Sequence, residues 1–189
     1  MKKNSSLKLG LVLLAIAAIC GLILGGISEV TKEPIAVQAK KAVDEANKAI
    51  LPEATEFVDK TGVEFTGTIS SVTEGKSGAD VKGYTITVSP KGYAGAVKTM
   101  VGITTDGKVS GIKILEHAET PGLGALAPEP KFSGQFSGKP AKELTVVKAA
   151  PSSDNQIEAI TGATITSRAV TSGVNEAIKF FDANLKGGN

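Results

Sequence analysis

Between Leu9 and Ile27 the chain reads LGLVLLAIAAICGLILGGI, without one charged side chain. As a helix, this run of 19 residues spans roughly 28 Å and matches a hydrocarbon core of about 30 Å. Lys2, Lys3 and Lys8 precede it and only Lys32 follows closely, so the positive-inside bias puts the N-terminus in the cytoplasm and the rest of the chain outside. A cleaved signal peptide is the rival reading, given the small-residue triplet around Gly26 and Ser28, but the apolar stretch is long for one. Lipidation of Cys20 is disfavoured because Ile19 is bulky for the position before a lipidated cysteine. The sequence therefore divides into a cytoplasmic end at 1–8, a transmembrane helix at 9–27, a stalk helix with linker at 28–55 and one extracytoplasmic domain at 56–189.

With Lys2, Lys3, Lys8 and Glu29 set aside, the remaining chain carries 18 basic and 18 acidic side chains. Nucleic-acid surfaces need a basic excess, so no nucleic-acid partner is expected. Cys20 is the only cysteine and His117 the only histidine. An intrachain disulfide, an iron–sulfur cluster, a cysteine zinc site and HExxH are thereby excluded for the outer domain, and no metal site is expected. No GxSxG elbow accompanies His117, which argues against a serine hydrolase.

In the outer chain, the stretch from Pro34 to Leu51 has a helical apolar stripe ended by Pro52. The run YTITV at 84–88 alternates at the strand period. VKTMVGIT and KVSGIKIL flank Asp106-Gly107, which predicts an antiparallel hairpin. Residues 117–139 are crowded with glycine and proline and read as an ordered loop without regular structure. A short strand is expected at Leu144–Val147. A closing amphipathic helix over 165–185 carries apolar positions 170, 174, 177, 178 and 181, with Gly187 and Gly188 beyond its end. The fold class is α+β: a transmembrane helix, a stalk helix, and a domain with a mainly antiparallel sheet and flanking helices.

Three stretches invite chemistry. GLGALA at 122–127 fits a dinucleotide fingerprint, but Pro128 and Pro130 forbid the helix that must receive the pyrophosphate. FSGKP lacks the spacing of a phosphate loop. TGATITS at 161–167 stands at a strand-to-helix junction, where unpaired N–H groups and the helix dipole favour an anion. Gly162 and Ala163 leave room for a phosphate there, and Thr161, Thr164, Thr166 and Ser167 supply hydroxyls. Ordinary N-capping by Thr166 or Ser167 is the simpler reading of these residues alone. His117 and Glu119 allow an acid/base pair, against the commoner alternative of a structural hydrogen bond.

The N-terminal anchor, the LPEA at 51–54, the stretch GYAGAVKTMVGITTDGKVSGIKILEHAETPGLGALA and the stretch IEAITGATITSRAV together carry a resemblance. They resemble RnfG, the FMN-binding subunit of the Rnf ion-translocating electron-transport complex, and, more distantly, NqrC of the sodium-pumping NADH:quinone reductase. The resemblance implies covalent FMN, attached by a flavin transferase through its phosphate to Thr164, with Thr161, Gly162 and Ala163 giving access and Thr166 and Ser167 capping. It also implies that the loop of His117, Glu119, Thr120, Pro121, Gly122, Leu123 and Gly124 lies against the flavin ring, with Thr120 offering a hydrogen bond and Pro121 and Leu123 apolar contact. Where the family usually has Asp three positions before the modified motif, this chain has Glu158.

The expected role is an electron-carrying subunit, not catalytic alone, in a ferredoxin:NAD+ oxidoreductase that exports an ion. Its partners would be the other Rnf subunits, the transferase during maturation and membrane lipid. The alternatives are the quinone-reductase protein NqrC and a non-redox scaffold domain in which TGATITS is merely a cap.

Overall fold

The computed structural model describes residues 3–186; Lys2, Gly187 and Gly188 lie outside them. The chain divides into two units, at 1–42 and 43–189. The described residues of the first, 3–42, are helical throughout, part of α1 (Lys3–Ile50). Its apolar side chains are exposed, and the helix is long and apolar enough to cross a membrane. The stretches read separately as 9–27 and 34–51 form one continuous helix that runs through Pro34. Pro34 has no N–H to give the Val30 carbonyl, a loss the flanking turns absorb.

The second unit is built on an antiparallel sheet in the order β1 (Glu56–Asp59), β2 (Ile69–Ser77), β3 (Asp80–Val88), β4 (Lys98–Thr104) and β5 (Val109–Glu116). The strand alternation divides its side chains between two cores. Tyr84, Ile86 and Val88 of β3 and Val101 and Ile103 of β4 join the larger cluster, whereas Met100 packs with Ala46, Ile50 and Leu51 at the end of α1. On that second face the Thr85 hydroxyl donates to Asn47 Oδ1 at 2.7 Å, a satisfied buried polar pair.

Helix α3 (Thr164–Asn184) covers the larger core. All five of its expected apolar positions, Val170, Val174, Ala177, Ile178 and Phe181, are buried. Each large apolar side chain placed there contributes about 1.5–3 kcal/mol of burial. The helix is also pinned to the sheet, because Glu176 accepts the Thr68 N–H at 2.6 Å.

Two parts of the fold depart from the sequence reading. The glycine- and proline-rich segment is partly helical, with α2 (Pro130–Ser133) between single 3-10 turns at Gly124–Leu126 and Gly134–Phe136. These turns bury Phe132 and Phe136, and that burial offsets the poor intrinsic helicity of the segment. In addition, β6 (Thr145–Val147) pairs in parallel with an unforeseen β7 (Gln156–Glu158). The Gln135 side chain completes the β7 edge: its Oε1 accepts the Glu158 N–H at 2.7 Å and its Nε2 donates to the Glu158 carbonyl at 3.2 Å.

Candidate functional site

Three connections converge at one end of the sheet: the turn between β3 and β4, the loop after β5, and the entry to α3. Glu119 ties them together. It is buried, and its Oε1 accepts the backbone N–H groups of Tyr93 at 2.9 Å and Ala94 at 3.0 Å. Its Oε2 accepts the Thr166 hydroxyl. Burial pushes the Glu119 carboxyl upward, but the Thr166 hydroxyl and the N–H groups of Ala94, Tyr93 and Gly95 outweigh it and hold the group below its ordinary value. Among the described residues no hydrogen bond joins the Glu119 carboxylate to the imidazole: the carboxylate is taken up by Tyr93, Ala94 and Thr166, and His117 Nδ1 accepts the Glu119 backbone N–H at 3.3 Å.

The bracket depends on glycine. A Cβ on Gly124 would lie 2.5 Å from both Glu119 Oε2 and Thr166 Oγ1. Gly162 has φ +76°, which lets the chain turn sharply into α3, and the Leu123 side chain fills the space beside it.

The hydroxyls of TGATITS have different fates. Thr166 is committed to Glu119. Ser167 is buried, accepts the Ile160 N–H at 3.0 Å and donates to the Ala163 carbonyl at 2.9 Å. The expected capping by either residue is therefore not what the structure shows: Ala163 is the N-cap and no side chain caps α3. Ser167 lies one turn too far along the helix and instead fastens the strand-to-helix connection. The N–H groups of Thr164, Ile165 and Thr166 open the helix without intrahelical acceptors. None of the hydrogen bonds among the described residues uses the Thr164 hydroxyl.

A cleft of about 550 Å³ opens beside this helix start, lined by Tyr93, Glu119, Thr120, Leu123, Gly124, Gly162, Ala163, Thr164, Ile165 and Thr166. Of the residues singled out in the sequence, Thr161 and Gly122 instead line a neighbouring cleft of about 590 Å³ with Glu129, Lys131 and Glu158. His117, Pro121 and Ser167 line neither cleft. Tyr93 and Ile165 were missed. Their only signals were an aromatic residue in the glycine-flanked turn 92–95 and an apolar residue between two threonines.

The cleft suits a phosphorylated flavin on its own chemistry. It combines unpaired helix N–H groups, an uncommitted hydroxyl and apolar walls, within the size range of ligand pockets. Among the described residues no cluster of His, Cys, Asp or Glu is placed to hold a metal ion.

Comparison with known proteins bears on the same segments. Residues 92–179 match the FMN-binding domain family, and residues 1–49 match the RnfG N-terminal region. The chain is 40% identical to the G subunit of the Na(+)-translocating ferredoxin:NAD(+) oxidoreductase complex of Acetobacterium woodii, over 92% of this chain and 90% of that protein. It is 38% identical to the proton-translocating counterpart of Clostridium ljungdahlii, over 85% of this chain and 83% of that one. Among solved structures, the C subunit of the Na(+)-translocating NADH-quinone reductase from Parabacteroides distasonis shares the fold, with a TM-score of 0.58 and 22% identity over 72% of this chain and 80% of that one. Identity sustained along both the helix and the domain separates the two families that the sequence left open. The chain belongs to the RnfG family, the G subunits of the ion-translocating ferredoxin:NAD(+) oxidoreductase (Rnf) complexes.

Proposed function

We propose that this chain is the electron-relaying flavoprotein subunit of such a complex, with FMN esterified through its phosphate to Thr164. The observation that carries the reading is the free Thr164 hydroxyl at an uncapped helix start, in a cleft braced by Glu119. Bound FMN would supply one- or two-electron transfer chemistry. The protein's part is to hold and orient. The N–H groups at the start of α3 would offer the phosphate the positive end of the helix dipole, and Gly162 and Ala163 would keep bulk away from the ester.

Attachment forms a bond from Thr164 Oγ to phosphorus. The donor is an activated FMN, already esterified to a leaving group through its phosphate; that bond breaks, and the leaving group departs with the hydroxyl proton. The net gain is FMN less one water. A flavin transferase is the agent we infer, and Glu158 retains the negative charge of the family's usual Asp. A permanent bond suits an outer-facing domain, because a dissociable cofactor would be lost by mass action to a medium poor in FMN.

The three lysines before the apolar run favour an N-terminus in the cytoplasm, with residues 9–27 of α1 as the single-pass anchor in lipid and the chain from 28 onward outside. In-gel fluorescence after denaturation tests the reading, using protein made alongside its own modifying enzyme. A covalently held flavin survives unfolding and glows. A dark band from native membranes would leave only an anchored domain without a redox group.

A further inference from the structure

Thr164 and Arg168 stand four residues apart at the start of α3. Residues at that spacing share a helix face, with Cβ atoms about 5–6 Å apart, and a helical side chain leans back over the turn before it. Arg168 is the one arginine among the chain's 21 lysines and arginines. It is exposed, and among the described residues no hydrogen bond, ion pair or ring contact uses its guanidinium. Its own helix offers it no acid, since positions 164, 165, 171 and 172 are Thr, Ile, Thr and Ser. Lys186 on the same helix differs, meeting Asp182 at 2.8 Å. The cleft beside Thr164 has the opposite want: no lysine or arginine lines it, and its only charged side chain is Glu119. A phosphate esterified to Thr164 would therefore enter a site whose one formal charge has its own sign, next to helix N–H groups that carry only partial charges.

We propose that Arg168 is the counter-ion of the phosphodiester that joins FMN to Thr164. This rests on the assignment of FMN to Thr164. Once esterified twice, the phosphate keeps one negative charge shared by two non-bridging oxygens, and a guanidinium fork matches that outline with two parallel N–H bonds. Flavinylated Thr164 is, in electrostatic terms, a phosphothreonine one turn ahead of an arginine, and anion before cation is the favoured order along a helix. A lysine ammonium would meet the charge but not the fork. Because Arg168 is exposed, the pair is open to solvent and weakened by salt.

The lone arginine makes the test direct, because isotopic nitrogen labelling of arginine gives a single side-chain Nε–H signal from the full chain in mild detergent. At low salt this N–H should exchange with water severalfold more slowly in the flavinylated chain than in the chain made without the transferase. The protection should largely vanish at about 1 M salt, where the Debye length falls to about 3 Å. A ring current from the flavin would move the signal without protecting it. The phosphorus NMR signal of the ester should shift in R168Q, return part of the way in R168K and stay at the wild-type position in K179Q, which removes an exposed charge farther along α3. Equal exchange in the two forms, or one phosphorus signal shared by wild type and R168Q, overturns the pair. Slower flavin loading of R168Q with that signal unmoved also overturns it and makes Arg168 a contact for the transferase. If R168Q takes up no flavin, the exchange comparison in wild type decides. A mass adduct on Thr164 with both spectra silent sinks this inference alone. No adduct in wild type sinks the parent reading and this one with it.

Discussion

Thr161 and Thr164 stand three residues apart in one short motif, yet they line different clefts. Thr161 is exposed and shares its cleft with Glu129, Lys131 and Glu158. Thr164 is partly buried at the first turn of α3, next to unpaired N–H groups and the apolar side chains Tyr93, Leu123 and Ile165. Equivalent hydroxyls thus acquire different chemistry from what the fold puts beside them. A phosphate would gain hydrogen bonds and a favourable dipole at Thr164, whereas at Thr161 it would meet two carboxylates against one lysine.

The largest expected effect breaks the comparison outright. T164V should carry no flavin by in-gel fluorescence, while T161V should be flavinylated like wild type and unfold within about 0.5 kcal/mol of it. Next in size is the brace behind Thr164. E119A removes the acceptor of two backbone N–H groups and one buried hydroxyl, and each orphaned donor costs about 1–3 kcal/mol. Urea unfolding should therefore show a loss of about 3 kcal/mol or more for E119A. E119Q, which keeps one acceptor oxygen, should lose less. G124A, whose Cβ would meet Glu119 and Thr166, should cost about 1–3 kcal/mol by overpacking.

Much of the frame was legible in the sequence, because periodicity and turn chemistry are local. The stripe 170–181 and the Asp106-Gly107 hairpin announced α3 and the β4–β5 pair. The stretch 117–139 misled because its helicity is set by what Phe132 and Phe136 bury, not by its own glycines and prolines. Strand β7 escaped because three residues paired with β6 and edged by Gln135 carry no period of their own. The motif at 161–167 could be located, but the division of labour among its hydroxyls could not. Thr166 is spent on a carboxylate 47 positions away and Ser167 on a backbone N–H seven positions back, and only the folded chain brings those partners together.

The smallest effect is a pH dependence. Glu119 titrates lower in the folded chain than its ordinary 4.5. Its carboxylate therefore stabilises the fold fully above that ordinary value, and the contribution is lost as pH falls through the lower folded value. Thermal unfolding followed from pH 6 to pH 3 should show E119Q with a shallower acid slope than wild type, and equal slopes would contradict the bracket as drawn.

The most direct test is to locate the adduct. Cleavage after Lys148 and Arg168 yields a peptide of residues 149–168 that holds Thr161, Thr164 and Thr166 together. Fragmentation mass spectrometry of this peptide from natively produced membranes should place FMN less one water on Thr164. An unmodified peptide, or the same mass on Thr161 or Thr166, would contradict the account.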